Sequence, residues 1–272
     1  MNYRHAFHAG NFADCMKHAV LVWLLRALAR KDKAFAVLDS HAGIGRYDLS
    51  AGPAERTGEW RAGIGRLRGG AAPELADYLG VVERLGLYPG SPAIVRALLR
   101  PGDRLVCCEL HPEDAMALKR AFRGDPQVAV HQRDAWEAMG ALLPFPERRG
   151  LVLIDPPYEA VDEFDRVAAA LVAAHRRFPG GVLAAWYPIK ARAAVRGLHD
   201  ALRAAGVRDV VAAEIFLREP LDASRLNGCG MLLVNPPFGF EAAMAEMLPV
   251  LLDGLGDGER GEGTAVLRLA DE

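Results

Sequence analysis

Short apolar runs rich in β-branched residues recur along this chain, and helix-patterned stretches separate them. That alternation constrains the fold more than any other feature. Strands parted by helices are joined as crossovers, which build a mostly parallel sheet covered on both faces. Seven runs read as strands: FAVLDSH (35–41), DRLVCCEL (103–110), VAVHQR (128–133), LVLID (151–155), GVLAAWYP (181–188), VVAAEIFL (210–217) and GMLLVNPP (230–237). Helical patterns fall at 12–32, 112–122, 161–178 and 191–206. The last two strands are closely linked, so a terminal hairpin is expected to reverse one of them. The expected fold class is α/β, a Rossmann-like, seven-stranded, mostly parallel sheet.

One interval breaks the rhythm. About sixty residues lie between the first two strands, far more than one crossover helix needs. Residues 46–100 carry glycine-rich joints and two helix-like stretches, AERTGEWRAGIGRLR and APELADYLGVVERLG. They read as an inserted helical subdomain, which divides the chain into a sheet domain of 1–45 with 101–272 and an insert of 46–100. Within 52–72, Arg56, Arg61, Arg66 and Arg68 stand against Glu55 and Glu59, a local charge of +2. Solvated helix surface and RNA contact both explain that charge. The stretch DGLGDGERGEGT (253–264) reads as an exposed turn.

Composition narrows the class. The chain has 272 residues, 51% hydrophobic and 25% charged, as an ordinary globular enzyme does. No apolar run approaches the roughly 18–20 residues that span a bilayer, and the polar, His-rich start MNYRHAFHAGNFADCMKHA has no apolar signal core. A cytoplasmic protein without membrane contact is expected. The four cysteines, Cys15, Cys107, Cys108 and Cys229, form no C-x-x-C pair and read as buried thiols. His5 and His8 have a metal-compatible spacing, yet no second ligand cluster supports it, so no metal is expected. A net charge of −2 argues against non-specific coating of nucleic acid, which would have to be met by a local basic face.

The turn LDSHAGIGRY after the first strand carries G-x-G at Gly43 and Gly45. Glycines there let backbone approach a ligand closely, but the third glycine of a dinucleotide fingerprint is missing. The second strand ends in Glu109, an acid placed to accept from ribose hydroxyls. The third leads to Asp134, placed to meet an adenine edge. Acids at successive strand ends beside a glycine turn point to a shared adenosine pocket, against the plainer reading of solvated loop acids.

The fourth strand ends in Asp155-Pro156-Pro157-Tyr158. The exocyclic amine of adenine is a poor nucleophile, because its lone pair is delocalised into the ring. A carboxylate and a backbone carbonyl that accept both N–H groups favour the tetrahedral geometry and positive charge of attack. Asp155 supplies the carboxylate and Pro156 the carbonyl. Proline stiffens the turn, and Tyr158 offers a ring on which an extruded base can stack. A similar element, Asn235-Pro236-Pro237-Phe238, follows the seventh strand. It lies outside the strand ends where cofactor and acceptor should meet, so Asn235 reads as a strand end with a proline stop.

Taken together, YRHAFHAGNFADCMKH, LDSHAGIGRY, ERTGE, YPGSP, ELHP, LIDPPYE and WYP closely resemble the bacterial 23S ribosomal RNA adenine-N6 methyltransferases of the J family. The resemblance runs from residue 3 to about 238. It implies a monomeric class I methyltransferase that uses S-adenosyl-L-methionine and methylates one adenine of 23S ribosomal RNA. It also implies cofactor contacts from Lys17, His18 and His41 at the methionine end, and from Gly43, Ser91, Glu109, Asp134, Ala135 and Asp155. Asp155 is then the proton acceptor, with Pro156 and Tyr158 beside it. Tyr3 would touch the substrate RNA, with His5 next to the same pocket. Ser91 before Pro92 also reads as a helix N-cap with proline at the first helical position. Three other readings stay open on the residues alone: a DNA adenine or cytosine amino-methyltransferase, a non-catalytic RNA-binding protein on this fold, and a nicotinamide dehydrogenase. They are weakened in turn by the absence of a large target-recognition domain, the intact pocket, and the missing glycine.

Overall fold

The computed structural model describes residues 4–70 and 72–271. Its strands are β1 (Ala36–Asp39), β2 (Arg46–Tyr47), β3 (Tyr88–Pro89), β4 (Arg104–Glu109), β5 (Val128–Gln132), β6 (Gly150–Ile154), β7 (Val182–Ile189), β8 (Val210–Phe216), β9 (Gly228–Val234) and β10 (Gly263–Ala270). The helices are α1 (Phe12–Ala29), α2 (Gly52–Thr57), α3 (Glu59–Ala62), α4 (Ile64–Leu67), α5 (Ala76–Leu85), α6 (Ser91–Leu98), α7 (Pro112–Ala121), α8 (Ala135–Leu142), α9 (Glu163–Arg177), α10 (Arg192–Ala204) and α11 (Phe240–Leu255). All but β2 and β3 join one sheet in the order β10-β8-β9-β7-β6-β1-β4-β5.

The sheet has eight strands where the sequence predicts seven. The added one, β10, pairs antiparallel with β8. It is a half-exposed edge strand carrying an arginine and following a glycine-rich turn, so its apolar signal is weak. The expected reversal is present: β9 threads between β7 and β8 and runs antiparallel to both. The five strands from β7 to β5 are parallel. β1 lies at the centre, with β4 on one side and β6 on the other. The chain therefore changes direction across the sheet at β1, and the carboxyl ends of β1, β4 and β6 open a crevice where ligands bind in such folds.

Two apolar layers cover the sheet. One is built around α1, whose burial on nearly all sides follows from its AVLVWLL run, together with α5, α6 and α11. The other is built around α8, α9 and α10. Tyr47, Ile64, Leu67, Tyr78 and Tyr88 of the 46–100 interval pack into the first layer. The first helix-like stretch there is split into α2, α3 and α4 at Gly58 and Gly63. A Cβ on Gly63 would stand 2.0 Å from the carbonyl oxygen of Gly10, while the Ile64 amide donates to that same oxygen at 2.9 Å. Only glycine lets this segment close so tightly on the start of α1. All four cysteines are buried and free. No helix among the described residues is long and apolar enough to cross a membrane.

Candidate active site

A cavity of about 1090 Å³ opens at the carboxyl ends of β1, β4, β6 and β7. Its volume exceeds the usual range for one drug-sized ligand, roughly 300–1,000 Å³. Every described residue expected to be catalytic, to bind the cofactor or to touch the RNA lines it. Tyr3 lies outside the described residues.

The β1–β4 wall is fastened by Glu109. Its Oε2 accepts from the Gly43 amide at 2.8 Å and its Oε1 from the His111 amide at 2.8 Å. Burial raises its carboxyl above the ordinary range, and these two amides partly offset that. Gly43 has φ +61°, and a Cβ there would meet the Tyr47 hydroxyl at 2.6 Å, so the G-x-G turn requires glycine at this point. Asp134 caps α8, its Oδ1 accepting from Trp136 and Glu137 amides at 2.8 and 3.2 Å. Ala135 is buried behind it. His41 holds Nδ1 against the Ser40 hydroxyl at 2.8 Å and packs edge-on against Trp136. Burial lowers its pKa to about 4, so the ring is neutral at pH 7.

Ser91 is buried at the same cavity, but it is the first residue of α6 and Gly90 is the N-cap. The sequence expectation of a Ser91 cap is corrected by one residue: the helix starts earlier, and the hydroxyl stays free of capping. His18 is buried, with Nδ1 3.0 Å from the Tyr88 hydroxyl and Nε2 without a partner. Burial lowers its pKa to about 3.

Two further acids, one lining the cavity and one buried beside it, carry no expectation from the sequence. Asp39, at the end of β1, is fully buried and neither carboxylate oxygen has a hydrogen-bond partner. Burial raises its pKa to about 7. Its signal was present, since it ends a strand as Glu109 does. Asp14, in the first turn of α1, is 2% exposed. Its Oδ1 lies 2.8 Å from Lys17 Nζ, and its Oδ2 accepts from the Gly10 amide at 2.9 Å and lies 2.9 Å from His5 Nε2. Burial opposes its charge, but His5 and Lys17 outweigh it and hold the carboxyl well below its usual range.

Asp155 stands at the tip of β6. Its Oδ2 accepts from Lys17 Nζ at 2.7 Å. Burial disfavours charge on Lys17, yet Asp14 and Asp155 outweigh it and hold the ammonium protonated. Pro156 is buried, and Tyr158 turns back with φ +52°. The Tyr158 hydroxyl donates to the Trp186 carbonyl at 2.7 Å, and its ring packs on Phe164 and Trp186. The ring is thus fixed in place.

The second proline element is elsewhere. Because β9 runs backwards, Val234 pairs with Leu183 near the start of β7, whereas Ile154 pairs with Ala185 and leads toward its end. Asn235 therefore emerges at the opposite end of the parallel strands. Its amide donates to the Pro179 and Gly181 carbonyls at 2.7 and 2.8 Å, and it does not line the cavity. Among the described residues, no group of three or more His, Cys, Asp or Glu is placed to hold a metal ion.

Residues 32–267 match the profile of the family described as "Ribosomal RNA large subunit methyltransferase D, RlmJ". The chain is 40% identical over 260 residues to the "Ribosomal RNA large subunit methyltransferase J" of Haemophilus influenzae, covering 92% of each. It is 39% identical over 272 residues to the protein of the same description in Escherichia coli, covering 97% of each. Among solved structures, protein LPL1258 of Legionella pneumophila superposes with a TM-score of 0.88 at 32% identity, over 96% of this chain and 98% of that one. A probable spermidine synthase of Corynebacterium glutamicum shares the fold at TM-score 0.52 and 15% identity, over 93% and 74% of the two chains.

Proposed function

The chain belongs to the RlmJ family of ribosomal RNA large subunit methyltransferases, and on that premise we propose that it methylates the exocyclic N6 amine of one adenine in 23S ribosomal RNA. It is a methyltransferase whose methyl donor is S-adenosyl-L-methionine. The observation that carries the adenine reading is Asp155-Pro156-Pro157-Tyr158 at the tip of β6, in one cavity with Gly43 and Glu109. The reading includes a monomer acting in the cytoplasm, an insert of 46–100, and Tyr3 and His5 as the residues nearest the RNA.

The donor set fits such a cofactor. His18 Nε2, which has no partner, suits the charged methionine end, with His41, Ser91 and Lys17 lining the same cavity. Glu109 and Asp134, with Gly43 and Ala135 as close-approach positions, suit a ribose and an adenine ring. When bound, the cofactor supplies an electrophilic methyl group on a sulfonium. The chain's own residues prepare the amine. Asp155 has Oδ1 to accept one N–H, and the Pro156 carbonyl accepts the other. Together they favour a tetrahedral nitrogen and take up the charge that develops on it. Asp155 is the first stop for the departing proton. The Tyr158 ring, fixed by its hydroxyl and by Phe164, gives the extruded base a surface to stack on.

Mapping tritiated methyl groups on ribosomal RNA tests this reading. Label should fall on a single adenine N6 with wild-type protein and be lost with Asp155→Ala. Label on another base, or label that survives Asp155→Ala, overturns it.

A further inference from the structure

Asp14 is assigned no role by the reaction as described, yet it is the best-connected acid of the site. It sits one helical turn before Lys17 on α1, buried, with both oxygens engaged. We propose that Asp14 is a positioning residue for methyl transfer: it shares the Lys17 ammonium with Asp155, so that Asp155 keeps a free oxygen and its negative charge for the substrate amine. This rests on the reading of Asp155 as the amine's acceptor.

The geometry carries it. An ammonium has three donors and no acceptor, and two of them are taken by Asp14 Oδ1 at 2.8 Å and Asp155 Oδ2 at 2.7 Å. Side-chain exposures of 6% for Lys17 and 2% for Asp14 bury this contact more deeply than the one to Asp155, which is 15% exposed toward the cavity. With Asp155 alone, a buried lysine would form a closed pair, cancelling the carboxylate charge where the amine needs it. Two carboxylates around one ammonium divide its charge between them, so Lys17 does not fully neutralise Asp155. Asp14 cannot drift toward the amine itself, because the Gly10 amide and His5 hold its other oxygen and the helix fixes its spacing to Lys17. It acts through Lys17 and touches no reacting atom.

Asp14→Asn keeps the shape and one carbonyl acceptor but removes the negative charge, so the charge of Lys17 falls to Asp155. In steady-state kinetics on 23S ribosomal RNA, kcat should drop on the order of 10- to 100-fold. KM for RNA and calorimetric cofactor affinity should stay within about threefold. An unchanged kcat, or a rise in KM alone, overturns the proposal; the second result would make Asp14 only an anchor for His5. Should Asp14→Asn not fold alone, Asp14→Asn/Lys17→Met removes the buried cation with its counter-charge. Its rate should equal that of Lys17→Met, and an additional tenfold loss overturns the proposal. Asp155→Ala, assayed in parallel, separates the two failures. If it methylates at the wild-type rate, the reading of Asp155 falls; if it is inactive while Asp14→Asn is unimpaired, only the role of Asp14 falls.

Discussion

The Gly43 amide donates to Oε2 of Glu109 across 2.8 Å, tying the turn after β1 to the tip of β4. The same carboxylate is expected to accept from the cofactor ribose, so it shapes the pocket and serves it. Glu109→Ala should orphan two amides and weaken cofactor binding by roughly 10- to 100-fold, the worth of one or two hydrogen bonds to a charged group. Glu109→Gln keeps an acceptor and should lose less. Calorimetry with S-adenosylmethionine beside a melting curve reads both, and equal affinity in all three proteins would remove Glu109 from the ribose.

Asp155 and Asn235 end near-identical elements at opposite ends of the sheet. Asp155→Ala should cost on the order of 10²–10³ in rate or more, since it removes the acceptor aimed at developing charge. Asn235→Ala should leave the rate intact. It drops two hydrogen bonds to carbonyls and forces alanine into φ +54°, so about 1–3 kcal/mol of stability should go. A variant of Asn235 that stays folded but no longer methylates would reverse this assignment.

The buried carboxyl of Asp39 makes stability fall as pH rises. Its pKa is about 7 when folded against an ordinary 3.8 when unfolded, so between these values the folded state binds the extra proton. The stability this contributes is fully present below pH 3.8 and is lost as pH rises through about 7. Asp39→Asn abolishes the titration. Relative to wild type, the variant should gain on the order of 4 kcal/mol between acid and neutral pH, the most that a shift of this size allows. Denaturant melts at several pH values check it, and parallel curves would show that Asp39 is ionised throughout.

Much of this molecule is legible in residues 35–41, 103–110 and 151–155, because buried parallel strands are continuous apolar runs and their acids fall at the ends. What stayed hidden depends on direction and on distance along the chain. NPPF itself does not tell which way β9 runs; the reversal expected from the short link between the last two strands, with the place of that element after the seventh strand, is what puts Asn235 outside the cavity. β10 was missed because an edge strand buries half of what a central one does. Asp14 and Lys17 form a D-x-x-K pair visible in the sequence, but their partner Asp155 is 138 residues away, and no local pattern carries that contact.

The arginines of residues 56–68 separate into different roles. Arg66 reaches the Leu255 and Gly256 carbonyls and lies 2.7 Å from Asp257, fastening α4 to the end of α11. Arg61 pairs with Glu55 on the surface. Arg66→Gln should therefore lower the melting temperature with little change in RNA affinity. Arg61→Gln/Arg68→Gln should leave the melting temperature unchanged, weaken RNA binding and flatten its salt dependence by the counterions no longer released. Equal RNA affinity at low salt would return Arg61 and Arg68 to the role of solvated surface.

The N-terminal arm is held at three points around the cavity. Arg4 pairs with Glu113 on α7 at 2.8 Å, His5 with Asp14 on α1 at 2.9 Å, and His8 with Glu59 of the insert at 2.9 Å. The Phe7 ring lies under the Arg56 guanidinium, 5.3 Å from its centroid. The arm thus lies between the Glu109 side of the cavity and the insert, with His5 one carboxylate away from Lys17. An aromatic, an arginine and two histidines in this position suit stacking on a base and pairing with phosphate. Removing residues 2–8 should abolish RNA methylation, because the base then has no cover beside Asp155. Cofactor affinity should fall only modestly: Glu109, Asp134 and Lys17 remain, and the Arg4–Glu113 pair is exposed and screened by solvent. Tyr3→Ala should reduce turnover more than Tyr3→Phe if the ring and not the hydroxyl is used. A truncated protein that methylates RNA at the full-length rate would leave the arm no part in catalysis, and the insert no arm to hold.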